Sequence, residues 1–293
     1  MSSSVFNVLR YIFTPNFKWA DKTYGQPALS LHLVAALLTS TSNFANKTAE
    51  SPLSVYIVAP HTSQTIPLIH SLLTQKLNSH DKAMALLEKV QLLQYFDLAG
   101  LLEGVSEVND NIYQNSQTIP RPDFQRPGHE TQRSHDIHHI VLIQGAVPIL
   151  SATQRRNGLV QTNALLAGLI RNLTQLSRLP GGILVLVEVP LEIHRGVSDP
   201  KSKDHAKSAR GQYDVEIYSA FSGPNGEDLR LSGGNSIVSQ TLVNSFDCLV
   251  LVHDAFSRGG YSTGERNGKS NMIVEVGKDR VGNMTGLWAE WMT

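Results

Sequence analysis

The sequence predicts an α/β fold with a mainly parallel central sheet, flanking helices and antiparallel strands at the C-terminal edge. Three apolar runs, at residues 54–60, 138–150 and 181–190, have the composition of buried strands. Amphipathic segments alternate with these runs, which is typical of βαβ units around a parallel sheet. The last apolar runs follow one another without intervening helices, so they predict hairpins at one edge.

The predicted helices carry apolar residues at helical spacing. The first helix begins near Pro27, and its apolar face comprises Leu29, Leu33, Ala36 and Leu37. A second helix, after residue 158, has a stripe comprising Leu165, Leu169, Leu173 and Leu176. Between these helices, a short strand is expected near Gln94–Asp97, with a helix on each side.

We expect one domain over residues 21–293, preceded by an N-terminal segment at residues 1–20. The sequence has no internal repeat and no second apolar core. Residues 109–136 are polar and contain prolines, and residues 192–234 include a polar, basic stretch. Both segments are predicted to be mobile loops.

The composition limits the classes of function. The 25 Lys and Arg residues balance the 25 Asp and Glu residues, so the chain has no overall attraction to nucleic acid or an acidic membrane. The single cysteine, Cys248, lies in an apolar run and excludes an internal disulfide. No apolar run has the length of a membrane span, and the N-terminus lacks the pattern of a secretory signal. These features predict an intracellular protein.

Two short motifs have simple structural interpretations. The segment "GYSTG", residues 260–264, matches the nucleophile motif of α/β-hydrolases, which requires a strand before it and a helix after it. Here strand-like runs lie on both sides, so a hairpin loop is predicted, and Ser262 is a nucleophile only if the chain is an unrelated α/β enzyme. The segment "HDIHH" places His135, His138 and His139 at a polar strand entrance rather than in a metal site.

Two further segments occupy positions where ATPases hold phosphate and magnesium. The run "HHIVLIQGAVPIL" has Gln144 where many ATPases have an aspartate that holds magnesium through water. In "DKTYGQPALSLHL", Gly25 takes the place of the last glycine of a phosphate-binding loop. Gln26 then replaces the lysine, and Pro27 replaces the hydroxyl residue. Glutamine brings no charge, and proline has neither a hydroxyl nor an N–H.

The order of these segments resembles the ATPase core of the RecA-type recombinases over roughly residues 20–293, especially a short eukaryotic recombinase paralogue. The most specific parts are "GGN", residues 233–235, and the closing "KDRVGNMTG". The resemblance implies a RecA-like P-loop NTPase core. It places the Walker A lysine and hydroxyl at Gln26 and Pro27, and the Walker B aspartate at Gln144.

The resemblance also implies that catalysis has been lost. The strand after the Walker A helix ends in "APHTSQ", which lacks the expected catalytic carboxylate. Hydrolysis of ATP needs a metal and positioned charge. We therefore assign no catalytic and no metal-binding residues, and expect either no cofactor or only weakly held ATP and magnesium.

Members of this family contact DNA through two loops. The first corresponds to "SATQRRNG", with Arg155 and Arg156. The second spans about residues 192–234 and ends at Gly233, Gly234 and Asn235. Its cations are Arg195, Lys201, Lys203, Lys207 and Arg210. Such cations can follow a phosphate backbone.

The expected function is that of a non-catalytic scaffold in homologous recombination and double-strand break repair. By resemblance, it is a nuclear protein that forms hetero-oligomers with a recombinase or its paralogues, contacts single-stranded DNA and does not enter a membrane. Two alternatives within the RecA-like class remain. One is an ATP-binding, DNA-dependent ATPase, and the other is a subunit of a non-repair assembly such as Elongator.

Overall fold

The fold is given by a computed structural model, which describes part of the chain. The described residues are 10–15, 29–44, 53–118, 137–179, 182–189, 192–195, 217–222, 228–232, 241, 244–254, 271–280 and 282–292. The chain divides into two compact units. The first comprises Met1–Arg10 and Pro27–Val187, and the second comprises Tyr11–Gln26 and Glu188–Thr293.

The first unit is an α/β unit with a four-stranded parallel sheet. Its helices are α1 (Leu29–Phe44), α2 (Thr65–Leu77), α3 (His80–Leu87), α4 (Leu98–Thr118) and α5 (Ala146–Leu176). Its strands are β2 (Ser54–Ala59), β3 (Val90–Gln94), β4 (Ile137–Ile143) and β5 (Gly182–Glu188), arranged in the order β5-β4-β2-β3. All three neighbouring pairs are parallel, as the alternation of apolar runs and helices predicted.

Helices cover both faces of this sheet. Adjacent strand residues point to opposite faces, and both Tyr56 and Ile57 of β2 are completely buried. On one face, Val58 lies under Gly104 of α4. Helix α4 is joined to α5 by a 2.7 Å hydrogen bond in which the Asn172 amide donates to the Ser106 hydroxyl. The apolar runs predicted as buried strands therefore form the core of this unit.

The second unit contains two small sheets. Strand β1 (Arg10–Pro15) pairs in parallel with β9 (Cys248–Asp254), and β9 is antiparallel to β10 (Asn271–Asp279). Strand β10 is also antiparallel to β11 (Trp288–Met292), which confirms the predicted C-terminal hairpins. A separate three-stranded antiparallel sheet has the order β6-β8-β7, with β6 (Glu192–Arg195), β7 (Ile217–Ser222) and β8 (Asp228–Ser232).

The structure corrects two loop predictions. Residues 109–118 are the last part of α4, not a loop, because Val105, Val108 and Ile112 are buried at helical spacing while polar residues cover the outer face. Residues 119–136 lie outside the described residues. Within 192–234, β6 and β8 replace parts of the predicted loop, because Glu192–Arg195 pairs with Leu229–Ser232, and β7 agrees with the alternating pattern of "DVEIYSAF", which predicts a strand. Residues 196–216, 223–227 and 233–234 lie outside the described residues.

Two helix predictions also change in detail. Helix α1 is present, but its predicted face of Leu29, Leu33, Ala36 and Leu37 is only partly buried. The buried face comprises Leu31, Val34, Ala35 and Leu38. This segment is apolar all round, so periodicity alone does not define its inner face. In α5, Leu169, Leu173 and Leu176 are buried as predicted, whereas Leu166 takes the place expected for Leu165.

Candidate functional site at the strand ends

The carboxyl ends of β2, β3 and β4 meet at the topological switch point of the first unit. The chain passes from β2 to β3 on one side and then to β4 on the other side of β2. In open parallel sheets, ligands bind outside the carboxyl ends of strands where the order reverses in this way. In this chain, the residues at this point are Pro60 after β2, Tyr95 after β3, and Gln144 and Gly145 after β4. We call these four residues the strand-end cluster.

Hydrogen bonds join the strand-end cluster internally. The Tyr95 hydroxyl donates to the Gln144 carbonyl, and the Tyr95 N–H donates to the Ala59 carbonyl at 3.3 Å. The Gln144 N–H donates to the Val58 carbonyl at 3.0 Å. The side chain of Tyr95 is only 1% exposed. Gln144 therefore has both of its backbone groups bound to neighbouring strands, and its position is fixed.

Gly145 lets the chain turn sharply from β4 into α5. Its φ of 70° lies in the left-handed region, which favours glycine. A Cβ at this position would lie 2.7 Å from Cγ of Pro60, a distance that real Cβ atoms essentially never show. Glycine is therefore required here both by the backbone conformation and by the approach of Pro60.

The described residues that follow β2 and β4 carry no carboxylate, whereas β5 ends at Glu188 and β3 is followed by Asp97. Gln144 carries an amide, and the segment after β2, from Ala59 to Gln64, has no acidic residue. Asp97 follows β3, but its Oδ1 accepts a 2.8 Å hydrogen bond from the Gly100 N–H at the start of α4. Magnesium in NTPase sites is held through carboxylates and phosphates, whereas Gln144 carries an amide at the position where the resemblance places the Walker B aspartate.

The predicted nucleotide and DNA residues are placed only in part. Gln144 lies at the end of β4, as predicted, whereas Gly25, Gln26 and Pro27 lie outside the described residues. Arg195 lies in β6. The remaining residues of the second DNA loop also lie outside the described residues: Lys201, Lys203, Lys207, Arg210, Gly233, Gly234 and Asn235.

The first predicted DNA loop is helical. Residues 146–157 form the first part of α5, in which Arg155 and Arg156 are exposed. Ala146, Leu150 and Thr153 are buried at helical spacing, and Pro148 lies in the first turn, where a missing N–H is tolerated. The helix is interrupted at Gly158, with φ 79° and ψ 172°. The expected loop is therefore reduced to this break, which follows the two arginines.

The entrance of β4 contains two of the three histidines of "HDIHH". Burial, and then the neighbouring His138, lower the pKa of His139 from 6.5 to about 4. Its ring lies 6.5 Å from the ring of Tyr56. Among the described residues, no group of three or more His, Cys, Asp or Glu side chains is arranged to hold a metal. His135 and the "GYSTG" segment lie outside the described residues.

A second feature, missed by the sequence analysis, lies beside the strand-end cluster at the outer edge of β3. It is a surface pocket of about 470 Å³ between β3 and the start of α4, and we call it the β3 edge pocket. It is lined by Leu92, Leu93, Gln94, Tyr95, Phe96, Asp97, Gly100, Glu103, Gly104 and Glu107. Phe96 is 80% exposed. The lining includes three carboxylates and no Lys or Arg.

Comparison with known proteins assigns no relatives. Neither the protein-family models nor the curated protein sequences match this chain. Among the described helices, none combines the length and apolar composition needed to cross a membrane.

Proposed function

We propose that this chain is a non-catalytic, RecA-like recombinase paralogue that acts as a scaffold in homologous recombination and double-strand break repair. The observation that carries the proposal is Gln144, an uncharged amide that ends β4 at the switch point. Its backbone is hydrogen-bonded to Tyr95 and Val58, and the described segments that follow β2 and β4, residues 60–64 and 144–150, carry no carboxylate. The parallel sheet and its covering helices are compatible with a P-loop NTPase core.

The scaffold role rests on the β3 edge pocket. In the described sheet of the first unit, β3 is the terminal strand and pairs only with β2. An unpaired strand edge accepts an extended segment from a partner, with main-chain hydrogen bonds for affinity and side-chain pockets for specificity. The exposed ring of Phe96 offers an apolar contact next to this edge. Because Asp97, Glu103 and Glu107 surround it, the partner segment would carry basic residues beside an apolar anchor.

The partner in this proposal is the recombinase or another paralogue of the same organism, in the nucleus. Contact with single-stranded DNA is a second part of the proposal, supported by the exposed Arg155 and Arg156 beside the helix break at Gly158. Substituting both arginines with glutamine would weaken DNA binding and reduce its dependence on salt concentration, since each phosphate contact releases counterions. Equal DNA binding by the wild-type protein and this variant would contradict the proposed contact with single-stranded DNA.

The scaffold role is tested by capture of the purified recombinase and paralogues on the immobilised full chain. Phe96→Ser is expected to weaken capture at least tenfold, because exposed aromatic residues that enter a partner's surface dominate binding. Met84→Ser is the matched control, since Met84 is 48% exposed but lies on α3, outside the β3 edge pocket. Equal capture by the wild-type protein and Phe96→Ser would contradict this docking surface. Capture of tRNA-modifying subunits instead would favour the alternative assembly.

A further inference from the structure

Two histidine rings meet at the turn between α2 and α3. Nε2 of His70 lies 3.0 Å from Nδ1 of His80, and the ring centroids are 4.8 Å apart at an interplanar angle of 78°. Helix α2 ends at Leu77, Asn78 adopts φ 49°, and Ser79 caps α3 by accepting a hydrogen bond from the Lys82 N–H. The short turn therefore brings the first residue of α3 back against the middle of α2. Both rings are reached by solvent, His80 more than His70.

The distance between the two nitrogens has a consequence for metal binding. Metal–imidazole bonds are about 2.0–2.1 Å long, so nitrogens 3.0 Å apart subtend about 95° at a shared metal ion. That angle matches adjacent ligands in square-planar or octahedral sites, which Cu²⁺ and Ni²⁺ adopt. A tetrahedral Zn²⁺ site needs about 109°, which at the same bond length separates the nitrogens by about 3.3 Å.

We propose that His70 and His80 together bind one Cu²⁺ or Ni²⁺ ion. The metal-free pair shares one hydrogen bond, so one facing nitrogen donates and the other accepts. On binding, the donor ring moves its proton to its other nitrogen, so that both facing nitrogens present lone pairs without a net loss of protons. The bound rings are then a His70 with its proton on Nδ1 and a His80 with its proton on Nε2. In the metal-free pair, the N–H of the donor ring and the lone pair of the acceptor ring lie close to the line that joins the two nitrogens. An angle of about 95° at the metal leaves about 40° at each nitrogen, so each ring turns by about 40° to point its lone pair at the ion.

The surroundings indicate an open site that exchanges its ion. The Thr74 hydroxyl lies 3.4 Å from Nε2 of His70 and is the nearest further oxygen recorded at the pair. Among the described residues, no Asp, Glu or Cys joins the two histidines in a cluster of three. Water therefore fills the remaining positions. The ion would connect α2 to α3, the helix that leads into β3, so binding would stabilise this part of the first unit independently of the proposed scaffold function.

The test uses the full chain without a histidine tag. Titration with CuCl₂, NiCl₂ and ZnCl₂ by calorimetry is combined with electron paramagnetic resonance of the protein at one equivalent of Cu²⁺. We expect one tightest Cu²⁺ equivalent with hyperfine coupling to two imidazole nitrogens, and tighter binding of Ni²⁺ than of Zn²⁺. His70→Gln and His80→Gln should each weaken that equivalent at least tenfold. His61→Gln, at an exposed histidine outside the pair, should not.

Two results would overturn the proposal. Unchanged Cu²⁺ affinity in both His70→Gln and His80→Gln would show that other histidines hold the ion. Coupling to a single nitrogen in the wild-type protein would show that the two rings do not share it, and this spectrum does not depend on how the variants fold. Tighter binding of Zn²⁺ than of Ni²⁺ would overturn the assignment of the metal from the 3.0 Å distance.

Discussion

The strand-end cluster and the β3 edge pocket both include Tyr95, but they differ in how far their side chains are buried and hydrogen-bonded. In the cluster, Tyr95 is buried and its hydroxyl and N–H are bound to neighbouring strands, while Gly145 lies against Pro60. One residue further on, Phe96 is 80% exposed beside a strand edge that no described strand of this unit covers. In related folds the strand ends are the usual site of chemistry. Here they are held together by internal hydrogen bonds, whereas the exposed ring of Phe96 lies at the strand edge.

The largest effect is expected at Gly145. Gly145→Ala forces a Cβ into the left-handed region, at a cost of about 1–2 kcal/mol, and toward Pro60, where overpacking costs about 1–3 kcal/mol more. We expect the free energy of unfolding, measured with urea, to fall by about 3 kcal/mol. Gly286→Ala is the control, because φ is 84° there but no atom lies within 4 Å of its Cβ. An equal loss in the two variants would mean that Pro60 does not restrict this turn.

The pH dependence of stability tests the amino-terminal end of β4, where His139 lies, opposite the strand-end cluster. His139 has a pKa of about 4 when folded, against 6.5 in its unperturbed state. Between pH 6.5 and pH 4, the imidazole of His139 is therefore protonated in the unfolded chain and neutral in the folded chain. The contribution of neutral, buried His139 to the free energy of unfolding is fully present above pH 6.5 and is lost as the pH falls toward 4. We expect His139→Leu to flatten the decline in unfolding free energy over this window. An unaltered slope in His139→Leu would contradict the assignment.

Tyr95→Phe tests whether the hydrogen bonds hold the strand ends together. The substitution leaves the Gln144 carbonyl without its hydroxyl donor while keeping the buried ring. We expect a loss of about 1 kcal/mol in unfolding free energy, typical for the removal of one hydrogen bond. Tyr113→Phe serves as the control, since Tyr113 is 51% exposed and water can replace its contacts. If the two variants lose the same amount, the hydroxyl of Tyr95 does not stabilise the strand ends.

The smallest expected effect on stability is at the open edge. Phe96→Ser should change the unfolding free energy by no more than about 0.5 kcal/mol, as for most exposed substitutions. The same substitution is the one that we expect to weaken partner capture. A large loss of stability would show that Phe96 packs into the fold, and the β3 edge pocket would then not be an open surface.

Local sequence patterns predicted the parallel sheet because its strands are short apolar runs separated by helices. The same patterns misplaced the start of α5, since "AVPIL" resembles a strand and the helix that begins at Ala146 depends on the turn at Gly145. The Gln144–Gly145 pair after the apolar run Ile140–Ile143 was the one local signal of this turn. They also missed the pairing of β6 with β8, because the paired residues are more than 30 positions apart.

For the candidate site, the sequence predicted which residue follows β4, but not the contacts that this residue makes. The sequence places Gln144 after β4, but the bond from the Tyr95 hydroxyl to its carbonyl joins residues 49 positions apart. The β3 edge pocket requires knowing that β3 is the last strand of its sheet, which depends on the strand order rather than on any local pattern. The sequence therefore predicted the identity of the residue after β4, and only the strand order located the β3 edge pocket.

The most direct test of the central claim is calorimetry of the purified protein with Mg-ATP and Mg-ADP, at nucleotide concentrations up to the millimolar range. We expect no measurable binding, because Gln144 has an uncharged amide where the resemblance places the carboxylate that holds magnesium. Binding in the micromolar range would contradict this interpretation. Such binding would favour the alternative of an ATP-binding protein over the proposed non-catalytic scaffold.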